Sequence, residues 1–213
     1  MRFLSCLVVV AFGTVAFATE YKLTGENTKI EWTGTKKDGK HTGGFKKVTG
    51  TCTCDGDPTK AKLDVTIDTD SIYSDNDGLT THLKNKDFFD TKANPTATFK
   101  ATKVEKDGDK FKITGDFTLC GKTKSITFPA TVTEKDGVFT LAAEFKINRT
   151  DYGMAYGAGK IDDDVALKLS VTAKRFGTGS RDPAHAIAEH PAGHDSGKDT
   201  LQRRAASGSD GGG

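Results

Sequence analysis

Along most of the chain apolar and polar residues alternate with a period of two. "KLDVTID" puts Leu63, Val65 and Ile67 on one face and Lys62, Asp64, Thr66 and Asp68 on the other. "KFKITGDFTL" repeats the pattern with Phe111, Ile113, Phe117 and Leu119, and "DVALKLSVTA" with Val165, Leu167, Leu169 and Val171. "VFTLAAEFKI" sets Phe139, Leu141, Phe145 and Ile147 along an alternation read as slipping near Ala142–Ala143, where a bulge is expected. This is the signature of antiparallel strands with one buried face and one wet face. It predicts strands near 28–34, 41–54, 60–69, 96–105, 109–120, 124–134, 138–148 and 164–175, with Asp-Gly turns in "KKDGK", "DGDP", "KDGD" and "EKDG". The expected fold is all-β, an eight-stranded antiparallel up-and-down, lipocalin-like barrel that hides its edges by closing. Such a barrel encloses packed side chains or one small apolar ligand. Lysines and aspartates on the outward face exclude a membrane barrel.

The rhythm breaks once, at "GLTTHLKNKDFFDTKANPTATF" (78–99). Ser74, Asp75 and Asp77 are capping residues ahead of Leu79 and Leu83 at helical spacing, and Asn94-Pro95 ends the segment. A short helical cap between the third and fourth predicted strands follows. Phe88 and Phe89, flanked by Asp87 and Asp90, are expected to pack between this helix and the barrel mouth as a gate.

The ends of the chain change this picture. Arg2, the apolar run "FLSCLVVVAFGTVAF" and "AFA" at 16–18 predict a signal peptide over 1–18, with Cys6 ahead of the apolar run and so misplaced for lipidation. Residues 176–213, rich in Gly, Ser, Asp and His without a period, predict a disordered tail. That leaves 19–175 as one domain, exported to the periplasm or secreted, with no transmembrane segment after cleavage. The formal net charge of +2 falls to +1 without Arg2, and charges of both signs are interspersed. A nucleic-acid partner, which needs a clustered basic face, is excluded.

Candidate chemistry is sparse. The expected body holds two histidines, His41 in "GKHTGGF" and His82, and neither has the spacing of a metal site. Asp87 and Asp90 read as solvated or capping carboxylates. No GxSxG, HExxH or phosphate loop occurs, so neither catalysis nor a required cofactor is expected. "NRT" at 148–150 matches a glycosylation sequon. An oxidising compartment suggests one disulfide, Cys120 with Cys52 or Cys54. An alternative reading makes Cys52, Cys54 and Cys120, with tail residues His185, His190 and His194, a redox or metal-handling set. Trp32, Phe45, Phe99, Phe117, Phe128, Phe139 and Phe145 face inward, where they either fill the core or line a cavity. A lid favours the cavity.

The pieces "HTGGF" (41–45), "SIYSDNDGLTTHLKNKDFFDTKANPTATF" (71–99), "ITGDFTLCGKTKSITFP" (113–129) and "INRTDYGM" (147–154) carry a likeness. In that order they resemble the YceI-like family of exported, lipocalin-like polyisoprenoid-binding proteins. The resemblance implies a barrel whose interior accommodates a long isoprenoid, a polyprenyl phosphate or an isoprenoid quinone, carried or buffered without catalysis. Leu83, Phe88, Phe89 and Leu119 then join the inward aromatics as candidate lining. His41, His82 and Arg149 become candidates for the polar end, Arg149 serving either a headgroup or backbone carbonyls and Asp151. A homodimer stays open. The cysteine trio and the tail lie outside the resemblance.

Overall fold

The computed structural model describes residues 19–175; the expected signal peptide with Cys6, and the expected tail with its three histidines, lie outside the described residues. Eleven strands form: β1 (Thr19–Thr24), β2 (Thr28–Lys36), β3 (Gly39–Phe45), β4 (Val48–Cys54), β5 (Lys62–Asp68), β6 (Ile72–Ser74), β7 (Thr96–Asp107), β8 (Lys110–Leu119), β9 (Lys122–Lys135), β10 (Val138–Asn148) and β11 (Ile161–Lys174). Among the described residues one α-helix, α1 (Asp77–Leu83), lies between β6 and β7. The strands build a single antiparallel sheet in the order β1-β4-β5-β7-β8-β9-β10-β11-β2-β3-β6. It curls until the first strand reaches the last, where Tyr21 bridges Arg175.

The described fold is all-β as expected, but eleven segments stand where the alternation suggested eight strands. The run 41–54 is broken at Lys46–Lys47 because its pairing changes there. β3 pairs with β2 and β6, whereas β4 pairs with β1 and β5. The break is stitched to its neighbours, with Lys46 N–H donating to the Ser71 carbonyl at 3.2 Å and Asp68 N–H donating to the Lys47 carbonyl at 3.1 Å. β1 ("TEYKLT") offers only Tyr21 and Leu23 as inward positions, and β6 has three residues. Neither is long enough for a period to register.

The bulge expected at Ala142–Ala143 does not form. β10 pairs with β11 without interruption from Val138 to Asn148, and Ala143 is the small, buried inward residue in an unbroken alternation. Irregularities occur instead between Ala101 and Lys103 and between Ile161 and Val165. The helix is capped by Asn76, whose side chain accepts from Leu79 N–H at 2.8 Å, rather than by Ser74, Asp75 or Asp77. Ser74 instead meets the Thr80 hydroxyl at 2.8 Å.

The interior face is predominantly apolar, from Leu63, Val65 and Ile67 to Ile113, Phe117 and Leu119. The paired glycines of "HTGGF" serve close approach: the indole of Trp32 lies over Gly43, opposite it in the register, and the Tyr73 ring covers Gly44. A Cβ at Gly43 would overlap both the Trp32 ring and the Tyr73 carbonyl. Gly43→Val is therefore expected to cost about 1–3 kcal/mol through overpacking, measurable as a lower urea midpoint with little change in slope.

Candidate functional site

Two apolar cavities lie inside the sheet. The larger, about 260 Å³, sits under α1 and the loop that follows it, and the smaller, about 70 Å³, lies deeper. Ile30, Ile67, Phe117 and Leu167 border both. Of the residues expected to line a cavity, Trp32, Phe45, Leu83, Phe88, Phe89, Phe117 and Leu119 border the upper one. Phe99, Phe128 and Phe145 border the lower one, where Phe128 and Phe145 stack at 4.2 Å and Phe99 packs on Phe128 at 5.6 Å.

Phe139 borders neither. It is buried at the far end of the sheet with its ring 5.5 Å from that of Tyr21, so it belongs to the floor. Strand parity had set its face correctly but not its height. Tyr21, absent from the sequence expectation, is fully buried and donates its hydroxyl to Glu134 at 2.6 Å. Burial, and then this bond to a carboxylate, raise its pKa above the ordinary tyrosine value.

The plug over the upper cavity is built from residues 77–95. Its loop folds on itself: Phe89 N–H donates to the Leu83 carbonyl, Thr91 N–H to Lys84, and the Asn94 amide to the Phe89 carbonyl. Phe89 meets Phe45 of β3 edge-on at 5.8 Å. Phe88 meets His82 at 5.1 Å and Tyr156 at 5.3 Å, and His82 meets Tyr156 at 4.9 Å. Leu79, which the helical spacing had marked, also borders the cavity, as do Met154 and Ile161, which carried no functional signal.

The three polar candidates separate. His41 borders the upper cavity, and its Nδ1 is 2.8 Å from Asp75, whose other oxygen accepts from Thr42 N–H at 3.0 Å. That backbone donor, and then His41, hold the Asp75 carboxyl below the usual carboxylate range. His82 bonds Asp87 at 2.9 Å on the outer side of Phe88 and does not border either cavity.

Arg149 is 3% exposed, and its donors are all committed. Nε donates to the Asp162 carbonyl at 3.1 Å. Nη1 donates to the carbonyls of Met154 and Tyr156, and Nη2 to the Ile161 carbonyl at 3.2 Å and to Asp163 at 3.1 Å. The β11 irregularity takes the Ile161 and Asp162 carbonyls out of the ladder, those of Met154 and Tyr156 belong to the loop before it, and the guanidinium satisfies all four. Arg149 therefore holds loop 153–163 in place and has no donor left for a headgroup, and its carboxylate partner is Asp163 rather than Asp151. Asn148 of the "NRT" run accepts from Thr150 N–H at 2.9 Å and caps the turn that carries Arg149. Arg149→Leu is expected to lower stability by about 3 kcal/mol, since it leaves buried carbonyls unpaired; chemical denaturation measures it.

The expected disulfide is not formed. Cys52, Cys54 and Cys120 are free, and they stand in different places. Cys120 lies against the Phe88 and Phe89 carbonyls of the plug, at 3.6 and 3.7 Å. Cys52 is instead opposite Tyr21 in the β1–β4 register, toward the floor. Burial pushes the Cys52 thiol up to about 12 and Cys120 up to about 11. A thiol so far from its thiolate is unreactive. Iodoacetamide at pH 7.5 should leave Cys52 and Cys54 unmodified in the folded protein and label both in denaturant, as read by peptide mass mapping.

Fold and site together define an all-β protein whose curled sheet walls an apolar interior beneath a helix-and-loop plug. The chain belongs to the YceI-like family: the YceI-like domain model matches residues 21–173. Protein YceI of Escherichia coli O6:H1 is 38% identical over 136 residues, 61% of this chain and 71% of that protein. The crystal structure of Burkholderia cenocepacia BcnA is similar with a TM-score of 0.63 at 26% identity, over 69% of this chain and 96% of the other. A polyisoprenoid binding domain from Saccharophagus degradans aligns with a TM-score of 0.60 over 75% of this chain and all of that one. At 13% identity that likeness shows the fold alone.

Proposed function

We propose that residues 19–175 form a non-catalytic binding domain for a long apolar ligand, an isoprenoid lipid or isoprenoid quinone. In this reading the domain carries or buffers the ligand outside the cytoplasm, in the periplasm or as a secreted protein, and needs no cofactor. The single observation that carries it is the apolar cavity beneath a plug whose two phenylalanines form part of its wall. Its volume falls just under the range of about 300–1,000 Å³ usual for small-molecule sites, and a second cavity shares four bordering residues with it. Three broken strands (β1 with β2, β3 with β4, β5 with β6) and five continuous ones then act as an eight-stranded barrel around the ligand. The polyisoprenoid-binding relative supports the ligand class through shared fold, and the leader-like pattern of residues 1–18 supports export. The alternative, redox or metal handling, needs its cysteines together, and Cys120 stands apart from Cys52 and Cys54.

Organic extraction of the purified protein followed by mass spectrometry should release an isoprenoid. Repeated extraction of nothing, together with no uptake of added quinone or polyprenyl phosphate, overturns the reading. Phe88→Asp and Phe89→Asp should each weaken retention by about tenfold or more, because each sets an unpaired charge against apolar surface. Equilibrium dialysis on variants with unchanged far-UV circular dichroism checks this.

A further inference from the structure

Two buried side-chain polar atoms have no hydrogen-bond partner among the described residues, Trp32 Nε1 and the Tyr152 hydroxyl. Buried donors in folded proteins are nearly always paired, and leaving one unpaired costs about 1–3 kcal/mol. The Tyr152 ring packs on Phe117 at 5.4 Å, and Tyr152 borders neither cavity. Trp32 does border the upper cavity. Its indole is held flat against the β2–β3 wall by Gly43, and its register neighbour on the other side, Leu167, is apolar. A phenylalanine would supply the same apolar surface without the unpaired N–H.

The charges around this donor limit what it can meet. The cationic or titratable side chains bordering the cavity are Lys36, His41 and Arg149. Lys36 is exposed at the end of β2, His41 is engaged by Asp75, and every donor of Arg149 is taken by the chain itself. An anionic head drawn inward against the β2–β3 wall would therefore leave Lys36, exposed at the end of β2, as its one candidate cation and carry most of its desolvation cost. A neutral oxygen needs only one donor.

We propose that Trp32 Nε1 is the polar contact of the cavity and donates a hydrogen bond to a neutral acceptor oxygen on the bound ligand. The ligand's oxygen-bearing end then lies inside the upper cavity against the β2–β3 wall, rather than outside among the charges of the rim. This rests on reading the upper cavity as a ligand site, and it adds a requirement that the apolar lining alone does not impose.

The test compares three probes on the full chain and on Trp32→Phe by equilibrium dialysis: decylubiquinone, with neutral carbonyls; squalene, with no acceptor; and geranylgeranyl phosphate, with an anionic head. Trp32→Phe is expected to weaken decylubiquinone binding about tenfold more than it weakens squalene binding, the value of one well-made hydrogen bond beyond the lost apolar contact that both probes share. Equal losses for both, no loss for decylubiquinone, or a preference for geranylgeranyl phosphate that survives the substitution each overturn the proposal while leaving the ligand site standing. Binding of none of the three to the unaltered chain overturns the ligand site itself, and this inference with it. Because Trp32 is the only tryptophan, the unaltered protein has a single indole N–H resonance and needs no variant for a second measurement. Decylubiquinone should move that resonance downfield of its squalene-bound position, and coincident positions overturn the proposal.

Discussion

The side chain and backbone of Tyr21 draw four distant parts of the chain to one point. Its backbone faces Cys52 in β4 and bridges Arg175 just past the end of β11, its ring lies on Phe139 of β10, and its hydroxyl donates to Glu134 of β9. A one-sided apolar sheet of this length must cover its buried face, and it does so by curling on itself. Tyr21 is where the curl meets, at the end remote from α1. With that end filled by tyrosine and phenylalanine, most of the free interior volume lies beneath the plug, and access is decided there.

Above the floor, polar groups are spent on backbone geometry. Arg149 satisfies carbonyls that the β11 irregularity takes out of the ladder, Asn148 caps its turn, and Asn76 caps the helix. These residues shape the rim while the inner wall stays apolar. A buried cation is costly unless fully hydrogen-bonded, and here the backbone supplies four of its five partners. The rim is consequently rigid on the β11 side without presenting a free positive charge to the interior.

Much of this was legible in the alternation, because each long strand has one face in the interior and a period of two reports faces directly. Depth is not encoded that way. Phe139 and Phe145 share a face of β10, yet one lies in the floor and the other in the cavity wall. The break at Lys46–Lys47 was hidden because its cause lies in Ser71 and Asp68, distant in sequence. Arg149 was readable as a residue of interest, but its acceptors are mostly carbonyls, which every residue carries. The cysteines misled because compartment argues for pairing, whereas only geometry can bring two thiols together.

The plug is fastened unevenly. On the β5–β7 side it is tied by polar bonds: the Thr69 hydroxyl and N–H donate to the carbonyls of Asn94 and Pro95, Thr91 donates to Asp70, and Lys84 pairs with the same carboxylate at 3.3 Å. Toward loop 153–160 the described contacts are ring against ring, His82 and Phe88 upon Tyr156, and Tyr156 is itself half exposed. Separating rings that already touch water forfeits less than breaking a set of directed polar bonds. The mouth thus has a hinge and a seam, and the line of least resistance into the interior runs beside Tyr156.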